Sequence, residues 1–210
     1  SWFINSTKLK DDLINKNKEI NWQPESTGTG RFGNWLENLV DWNLSRSRFW
    51  GTPLPIWRTK DGVEEICIGS IKELKSEIKK SVDLGFMKNI ISDNIDLHRP
   101  FVDDIILSSE NGSPMYREKD IIDVWYDSGS MPFAQYHYPF DNKDVFKKMF
   151  PAKFIAEGVD QTRGWFFTLH AISIMLFGKV SYENVISNGL VLDKDGNKMS
   201  KRLGNASFLP

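Results

Sequence analysis

The chain has 210 residues, of which 27 are lysine or arginine and 28 are aspartate or glutamate, so its formal net charge is −1. This balance excludes a bulk electrostatic attraction for nucleic acid, and any polynucleotide contact must be local or lie on other parts of the protein. The 40% hydrophobic content is enough for a packed core, whereas a single cysteine excludes an internal disulfide and a cysteine-based zinc site.

Location is also constrained by composition. No run of about 18 apolar residues is present, so no membrane span is expected. The start at Ser1 carries neither the basic region nor the apolar region of a signal peptide, and without an initiator methionine we expect a piece of a longer protein. The single Cys67 indicates a reducing interior, so we expect a cytoplasmic protein. The histidines, His98, His137 and His170, are too scattered to predict a metal site.

The segment 1–58 is predicted to begin with a strand at 2–4 and a helix from Ser6. Residues 24–30 form a loop by composition, and Asn34 is expected to cap a short helix. The residues predicted to face inward are Leu9, Leu13, Ile14, Trp35, Leu36, Leu39 and Val40.

Two arginines follow in a segment rich in aromatic residues. Arg46 and Arg48 are two positions apart, so in an extended segment they share one face, where their planar guanidinium groups can bind a phosphate or a carboxylate. A plain salt bridge is the alternative. Residues 50–57 are predicted to be extended, because each proline biases its predecessor away from helical geometry.

Residues 59–120 are predicted to form a small α+β insertion. The segment 70–73 fits a capping box, and Ile71, Leu74 and Ile78 recur at helical spacing after it. The segments 98–99 and 103–104 combine histidine, arginine and carboxylates that can bind metal or move protons, but nothing else converges on them. We interpret them as structural.

The rest of the chain predicts an α/β fold. The apolar run 121–126 reads as a buried strand that ends in a polar loop, the edge where open α/β sheets bind ligands. Residues 154–156 as a strand, 161–177 as a helix stopped by Gly178, and 185–192 as a strand make a βαβ unit.

The predicted turn of that unit carries polar groups. It contains Glu157, Gly158, Asp160 and Gln161. Gly158 permits close approach of a ligand to the backbone, and an acidic residue here can accept hydrogen bonds from a ribose or hold an ammonium group. Gln161 is uncharged, and its side chain can also bind a ribose hydroxyl or an ammonium group. For Asp160 the alternative is helix N-capping, which is compatible with ligand binding.

A lysine-containing loop follows the last predicted strand. After a turn at residues 195–196, Lys198 and Lys201 flank Met199 and Ser200. Lysines on a turn can neutralise charge that develops on a phosphate leaving group. Taken alone the pattern is weak, because lysine-rich turns are usually solvated.

Four stretches of the chain resemble sequence blocks of one family, and they occur in the family's order. Residues 198–202, Lys-Met-Ser-Lys-Arg, resemble the KMSKS signature of class I aminoacyl-tRNA synthetases, with Arg202 in place of the last serine. Residues 154–167 resemble the E-G-x-D-Q-x-R-G-W-F segment of isoleucyl-tRNA synthetases. Residues 41–53 and 124–135 resemble two further blocks of that family. Together they span most of the chain.

The resemblance implies half of a Rossmann-like nucleotide-binding fold. Residues 1–58 are then the return from an editing insertion, 59–120 a small α+β insertion, and 121–210 the second half of the catalytic domain. In the implied reaction the isoleucine carboxylate attacks the α-phosphate of ATP, and the terminal ribose of tRNA(Ile) then takes the acyl group. The implied substrates are ATP with Mg²⁺, isoleucine and tRNA(Ile), with no zinc in this segment, no membrane and a monomeric protein.

The resemblance also implies roles for single residues. Glu157, Gly158 and Asp160 correspond to adenylate contacts, and Glu157 and Gln161 also lie beside the amino acid. Trp125 and Trp165 correspond to apolar walls around the side chain. Lys198 and Lys201 correspond to the lysines that hold the triphosphate, with Lys201 the stronger ATP contact.

Departures and alternatives remain. The chain has no HIGH tetrapeptide, which the family uses to bind ATP, and no editing domain, so we expect this piece alone to be inactive. The same segment of a valyl- or leucyl-type synthetase is an alternative, although the block at 124–128 differs from theirs. The second alternative is a non-catalytic module that binds tRNA or a protein partner. A net charge close to zero disfavours a strong tRNA binder. A phosphotransferase of the P-loop type is remote, because no G-x-x-x-x-G-K-[ST] motif is present.

Overall fold

The computed structural model describes residues 1–88, 95–200, 202, 204 and 205. These form two compact units, residues 1–4 with 43–127 and residues 5–42 with 128–210. No helix in the described ranges is long and apolar enough to cross a membrane. The strands and helices in chain order are β1 (Phe3–Ile4), α1 (Lys10–Asn17), β2 (Asn21–Gln23), α2 (Gly33–Glu37), β3 (Trp42–Asn43), β4 (Ser45–Arg46), β5 (Ile56–Thr59), β6 (Glu65–Cys67), α3 (Ile71–Asp83), β7 (Ile106–Ser108), β8 (Pro114–Arg117), β9 (Ile121–Ile122), α4 (Val124–Gly129), α5 (Met131–Ala134), α6 (Lys143–Met149), β10 (Ile155–Gly158), α7 (Trp165–Phe177) and β11 (Asn184–Asn188).

The first unit is built on a four-stranded antiparallel sheet with the strand order β6-β5-β8-β7. Helix α3 packs against β7 and begins at the predicted capping box, where Ser70 Oγ accepts a hydrogen bond from Glu73 N over 3.1 Å. Of the three apolar residues at helical spacing, Leu74 and Ile78 are buried and Ile71 is exposed. The core of this unit is Trp57, Ile68, Leu74, Ile78, Val102, Ile105, Leu107 and Met115.

A carboxylate between two arginines ties this unit together. Asp103 accepts hydrogen bonds from Arg99 Nε and Arg117 Nε, each over 2.8 Å. The Arg117 side chain is buried and also donates to the carbonyl oxygens of Leu54 and Asp120. Burial alone would raise the pKa of Asp103, but the hydrogen bonds from the two arginines outweigh it and hold the pKa below its usual value. These contacts support the structural interpretation of Arg99 and Asp103.

The predicted strand over 121–126 is wrong beyond its second residue. Strand β9 pairs antiparallel with β4 and stops at Ile122, and helix α4 then begins at Val124. The buried carboxylate of Asp123 accepts a hydrogen bond from Trp125 N over 3.2 Å, and Asp123 O accepts one from Tyr126 N. Both hydrogen bonds fold the chain back into a helical turn. A short apolar run does not by itself distinguish strand from helix.

The second unit holds a parallel three-stranded sheet with the order β10-β11-β2. Gly158 at the end of β10 is the register partner of Asn188 at the end of β11, and α7 connects these two strands. The predicted βαβ unit is therefore confirmed. Strand β2 was not predicted, because three residues around the buried Trp22 give too short a pattern. The core is Leu13, Ile20, Trp22, Phe32, Leu36, Leu39, Phe166, Phe167, Leu169, Ala171, Ile174, Val180, Tyr182 and Val185.

The boundaries of the βαβ unit differ from prediction. Strand β10 runs on to Gly158, and β11 ends at Asn188 rather than at residue 192. A 3₁₀ turn, Val159–Arg163, precedes α7, and the non-helical backbone of Gly164 (φ −143°, ψ −115°) separates the two, so the helix begins at Trp165 rather than at Gln161. Gly178 ends α7 in the left-handed region with φ 63°, as predicted.

The predicted loop over 24–30 is largely helical. A π-helical segment, Thr27–Phe32, leads directly into α2, so Asn34 lies inside that helix and does not cap it. A Cβ atom on Gly28 would lie 2.2 Å from the Trp22 ring, so this glycine lets the backbone approach the indole. Val40, predicted to face inward, is exposed.

Candidate functional site

The candidate site lies at the carboxyl edge of the parallel sheet. The sequence predicted Glu157 and Gly158 in the turn, but they are the last two residues of β10. Asp160 and Gln161 lie in the 3₁₀ turn that follows. Glu157 and Asp160 are exposed at this edge. Four of the predicted residues are therefore brought together within one short segment. Such an edge is where open α/β sheets place their ligands.

Gly158 leaves room for the side chain of Asp160. A Cβ atom at Gly158 would lie 2.6 Å from Asp160 Oδ1, closer than van der Waals contact allows. Glycine at this position therefore permits the carboxylate to lie against the end of the strand. This close approach adds to the role that the sequence predicted for Gly158.

Gln161 connects the carboxylate of Asp160 to helix α7. Its Nε2 donates a hydrogen bond to Asp160 Oδ2 over 3.1 Å, and its Oε1 accepts one from Trp165 N over 3.0 Å. Gln161, and not Asp160, therefore binds the first amide of the helix. The capping role considered for Asp160 is performed by its neighbour, which leaves the outer surface of the carboxylate available.

A buried threonine anchors the turn, and sequence reasoning did not find it. Thr162 is fully buried, its Oγ1 donates to Val159 O over 2.8 Å, and it accepts a hydrogen bond from Arg31 Nε over 3.0 Å. Arg31 lies more than 100 residues earlier in the chain. No local pattern indicates this pairing, because the two residues meet only in the folded unit.

The two predicted tryptophans lie in different units. Trp165 is partly buried at the start of α7, and its indole Nε1 donates to Ser128 O over 3.1 Å. Trp125 belongs to the first unit, where it lines a surface cavity of about 280 Å³ with Arg46, Trp50 and Asp127. Its role as an apolar wall stays a prediction.

The arginines next to that cavity differ from each other. Arg46 forms a 2.7 Å salt bridge with the buried Asp123, so the salt-bridge alternative holds for it, whereas Arg48 is exposed. Burial raises the pKa of Asp127 above its usual value, and Asp123 adds to the increase. The cavity is thus bordered by both signs of charge.

The lysine loop is organised by Asp193. Leu192 and Lys198 form a β-bridge, and Lys198 is exposed. Asp193 Oδ1 accepts hydrogen bonds from the amides of Asp195 and Asn197, and Oδ2 accepts one from Asn205 Nδ2 over 2.7 Å. The hydrogen bond from Asn205 is the main reason that the pKa of Asp193 lies below its usual value. Lys201 lies outside the described residues.

A resident metal site is not formed by the described part of the chain. No group of three or more His, Cys, Asp or Glu side chains is placed there to hold an ion.

Residues 1–208 match the family model for class I tRNA synthetases (I, L, M and V). The chain belongs to this family of class I tRNA synthetases. The resemblance found in the four sequence blocks is thereby confirmed, and with it an α/β synthetase fold.

Similar class I synthetases include several isoleucine–tRNA ligases. The chain is 69% identical to that of Cytophaga hutchinsonii and 66% identical to that of Bacteroides thetaiotaomicron, each over 98% of the chain. It is 53% identical to the isoleucine–tRNA ligase of Thermus thermophilus, also over 98% of the chain. It spans 18% and 19% of the length of the first two relatives, and 19% of the third.

Solved class I synthetases show the same fold at low identity. The agnB2 LeuRS of Agrobacterium radiobacter K84, in a ternary complex with tRNA and LeuAMS, matches 81% of this chain with a TM-score of 0.53 and 20% identity, over 22% of its own chain. The methionyl-tRNA synthetase of Mycobacterium tuberculosis bound by methionyl-adenylate matches 98% with a TM-score of 0.52 and 16% identity, over 28% of its own chain. These similarities support the fold alone.

Proposed function

We propose that this chain is part of the catalytic domain of an isoleucine–tRNA ligase, which joins isoleucine to tRNA(Ile) with ATP. The observation that carries the proposal is the strand edge where Glu157, Gly158, Asp160 and Gln161 meet ahead of the lysine loop. The identity of 69% to an isoleucine–tRNA ligase supports isoleucine over valine or leucine as the substrate.

The proposed reaction needs positioning and charge neutralisation rather than a protein nucleophile. One oxygen of the isoleucine carboxylate attacks the α-phosphorus of ATP, the bond to the β-phosphate oxygen breaks, and pyrophosphate leaves. The terminal ribose hydroxyl of tRNA then attacks the carbonyl carbon of the adenylate and gives up its proton. The bond from that carbon to the phosphate oxygen breaks, and AMP leaves. Both steps move a negatively charged leaving group, so fixed donors and cations stabilise them.

The strand edge supplies the adenylate contacts in this proposal. Exposed carboxylates at Glu157 and Asp160 accept hydrogen bonds from the amino-acid ammonium group and the ribose hydroxyls. Gly158 lets the ligand approach the backbone at the end of β10. Gln161 holds Asp160 in place through its 3.1 Å hydrogen bond and lies next to the amino acid. Trp165 provides apolar surface for the isoleucine side chain.

The lysine loop supplies positive charge. Lys198 is exposed, and its ammonium group is free to reach a triphosphate at the end of β11. Lys201 has the same proposed role, and Mg²⁺ enters with ATP. Both lysines act on charge that grows in the transition state, so they affect the rate of adenylate formation more than the binding of isoleucine.

Two structural proposals accompany this function. The parallel sheet of the second unit is the second half of a Rossmann-like domain, and the antiparallel sheet of the first unit is an insertion. The exposed faces of Ala156 and Ile186, on β10 and β11, are consistent with an incomplete layer. We place the complete protein in the cytoplasm as a monomer.

The test is isoleucine-dependent exchange between ATP and pyrophosphate by the full-length protein. Wild type is expected to catalyse it, and Asp160→Ala is expected to reduce kcat/KM by at least about 100-fold, because a charge-assisted hydrogen bond is lost. Asp141→Ala, at an exposed position on another loop, is the control. Exchange with leucine or valine that exceeds exchange with isoleucine would contradict the assignment.

The isolated 210-residue chain provides a second test. It is expected to show no exchange, because the proposed half-domain lacks the other ATP-binding segment. Binding of tRNA by this chain, titrated with salt, addresses the alternative. Sub-micromolar affinity with a steep salt dependence would favour a binding module over the proposed role.

A further inference from the structure

We propose that Asp193 and Asn205 are positioning residues for the lysine loop, an inference that rests on the proposed function. Their side chains form a clasp, defined here as the hydrogen bond between Asn205 Nδ2 and Asp193 Oδ2 over 2.7 Å. The clasp joins Asp193, which precedes the Lys-Met-Ser-Lys-Arg motif, to Asn205, which follows it. It therefore fixes the backbone from which Lys198 projects.

The Asp193 side of the clasp shapes the turn that leads into the motif. One carboxylate oxygen, Oδ1, accepts the amides of Asp195 over 3.0 Å and Asn197 over 2.8 Å. The backbone of Asp193 also binds Asn197 and Gly196, and the latter has φ 79°. A single carboxylate thus satisfies two amides of a tight turn and still has an oxygen for Asn205.

The Asn205 side of the clasp holds the motif itself. Its Oδ1 accepts a hydrogen bond from Ser200 N over 2.8 Å, and its Nδ2 lies 3.4 Å from Lys198 O. One amide side chain therefore contacts the backbone on both sides of Met199. The pattern needs an acceptor oxygen and a donor NH₂ group on two separate atoms, as in an amide side chain, and asparagine is the shorter of the two amide side chains.

The consequence for the reaction follows from entropy and electrostatics. A lysine on an unconstrained loop must lose backbone freedom when it binds the triphosphate, and that cost raises the barrier. With the clasp formed, the backbone at Lys198 is ordered before ATP arrives. The net charge of the clasp is −1, and it attracts the lysine side chains less than a polyphosphate does, so they remain available to the substrate.

The orientation of the hydrogen bonds allows an exchange of the two residues. In the double variant Asp193→Asn/Asn205→Asp, the amide oxygen at 193 still accepts the two turn amides, its NH₂ donates to the carboxylate at 205, and that carboxylate still accepts Ser200 N. Only the 3.4 Å contact to Lys198 O is lost. Each single change, in contrast, places two like groups against each other or removes the donor.

The experiment uses the full-length enzyme and ATP–pyrophosphate exchange. Asn205→Asp loses two hydrogen bonds and Asp193→Ala loses three. Each variant is expected to lower kcat/KM for ATP by at least about tenfold, with KM for isoleucine unchanged. The exchanged double variant is expected to recover most of the loss. Asp195→Asn is the control, because the side chain of Asp195 is exposed on the same turn and forms none of the clasp hydrogen bonds.

Hydrogen exchange at the Ser200 and Asn197 amides gives a second readout in the same proteins. Protection is expected to fall in the single variants and to return in the exchanged one. Single variants within twofold of wild type, or an exchanged variant no better than Asn205→Asp, would overturn the inference alone. A wild-type enzyme without isoleucine-dependent exchange would instead overturn the proposed function and the inference with it.

Discussion

The indole N–H of Trp165 donates a hydrogen bond to the carbonyl oxygen of Ser128 over 3.1 Å. Ser128 lies 37 residues earlier in the chain and belongs to the same unit. This bond fixes the ring at the start of helix α7, directly after the acidic turn, the 3₁₀ turn Val159–Arg163 that contains Asp160. An apolar surface is useful for substrate selection only when its orientation is fixed, because small apolar pockets discriminate by packing alone.

Replacing this tryptophan tests the orientation. Trp165→Phe keeps an aromatic ring but loses the donor, so we expect KM for isoleucine to rise about tenfold while kcat changes less than threefold. The measurement is exchange kinetics with the full-length enzyme. Trp35→Phe is the matched control, because the buried Trp35 Nε1 has no hydrogen-bond partner among the residues that the structure describes. An equal effect of both changes would show that ring size, and not the Ser128 contact, matters.

Gly129 next to this bond has no room for a side chain. A Cβ atom there would lie 2.9 Å from the backbone carbon of Thr168 and 2.8 Å from Ile172 Cδ1. We expect Gly129→Ala to lower the free energy of unfolding by about 2 kcal/mol, because the contact is with the backbone of α7, which moves less easily than a side chain. Urea unfolding measures it. Gly30→Ala, where no described residue outside the immediate chain neighbours lies within 4 Å of the added atom, should change it by less than about 0.5 kcal/mol.

The buried His170 predicts a loss of stability in acid. Burial lowers its pKa from 6.5 to about 4, and its Nε2 lies 2.9 Å from Leu13 O. Below pH 6.5 the unfolded chain takes up a proton at His170 that the folded chain does not. The contribution of the neutral imidazole to the free energy of unfolding is therefore complete above pH 6.5 and is lost as the pH falls towards 4. The decrease is about 3 kcal/mol across that window.

The measurement is the free energy of unfolding between pH 4 and pH 7. His170→Gln is expected to be less stable at pH 7 but to show a shallower decrease in acid. His137→Gln, which changes an exposed ring on another loop, should leave the slope unchanged. Identical slopes in wild type and His170→Gln would contradict the assignment.

The arginine pair around Asp103 predicts a position at which charge is essential for stability. Asp103→Asn leaves the buried guanidinium of Arg117 without its anionic partner. We therefore expect the free energy of unfolding of the first unit to fall by about 3 kcal/mol. Hydrogen exchange of the amides in β5 and β8 reports on this unit. The adjacent Asp104→Asn changes an exposed carboxylate and should have little effect.

Much of the second unit could be predicted because its signals are local. Helix α7 is a long apolar segment that a glycine ends, and a short apolar run marks the strand on either side of it. The acidic turn and the lysine loop were found as motifs, since their residues are adjacent in sequence. The capping box of α3 was found for the same reason, because both of its partners lie within four residues.

The sequence by itself thus determined the βαβ unit, the acidic turn after its first strand and the membership in class I synthetases. Tertiary structure alone decided that β9 pairs with β4, that β2 joins the parallel sheet, and that Arg31 binds Thr162 from 131 residues away. Local patterns report backbone preference and burial over a few residues. Hydrogen bonds between distant residues depend on how the chain returns on itself, and no periodicity records that.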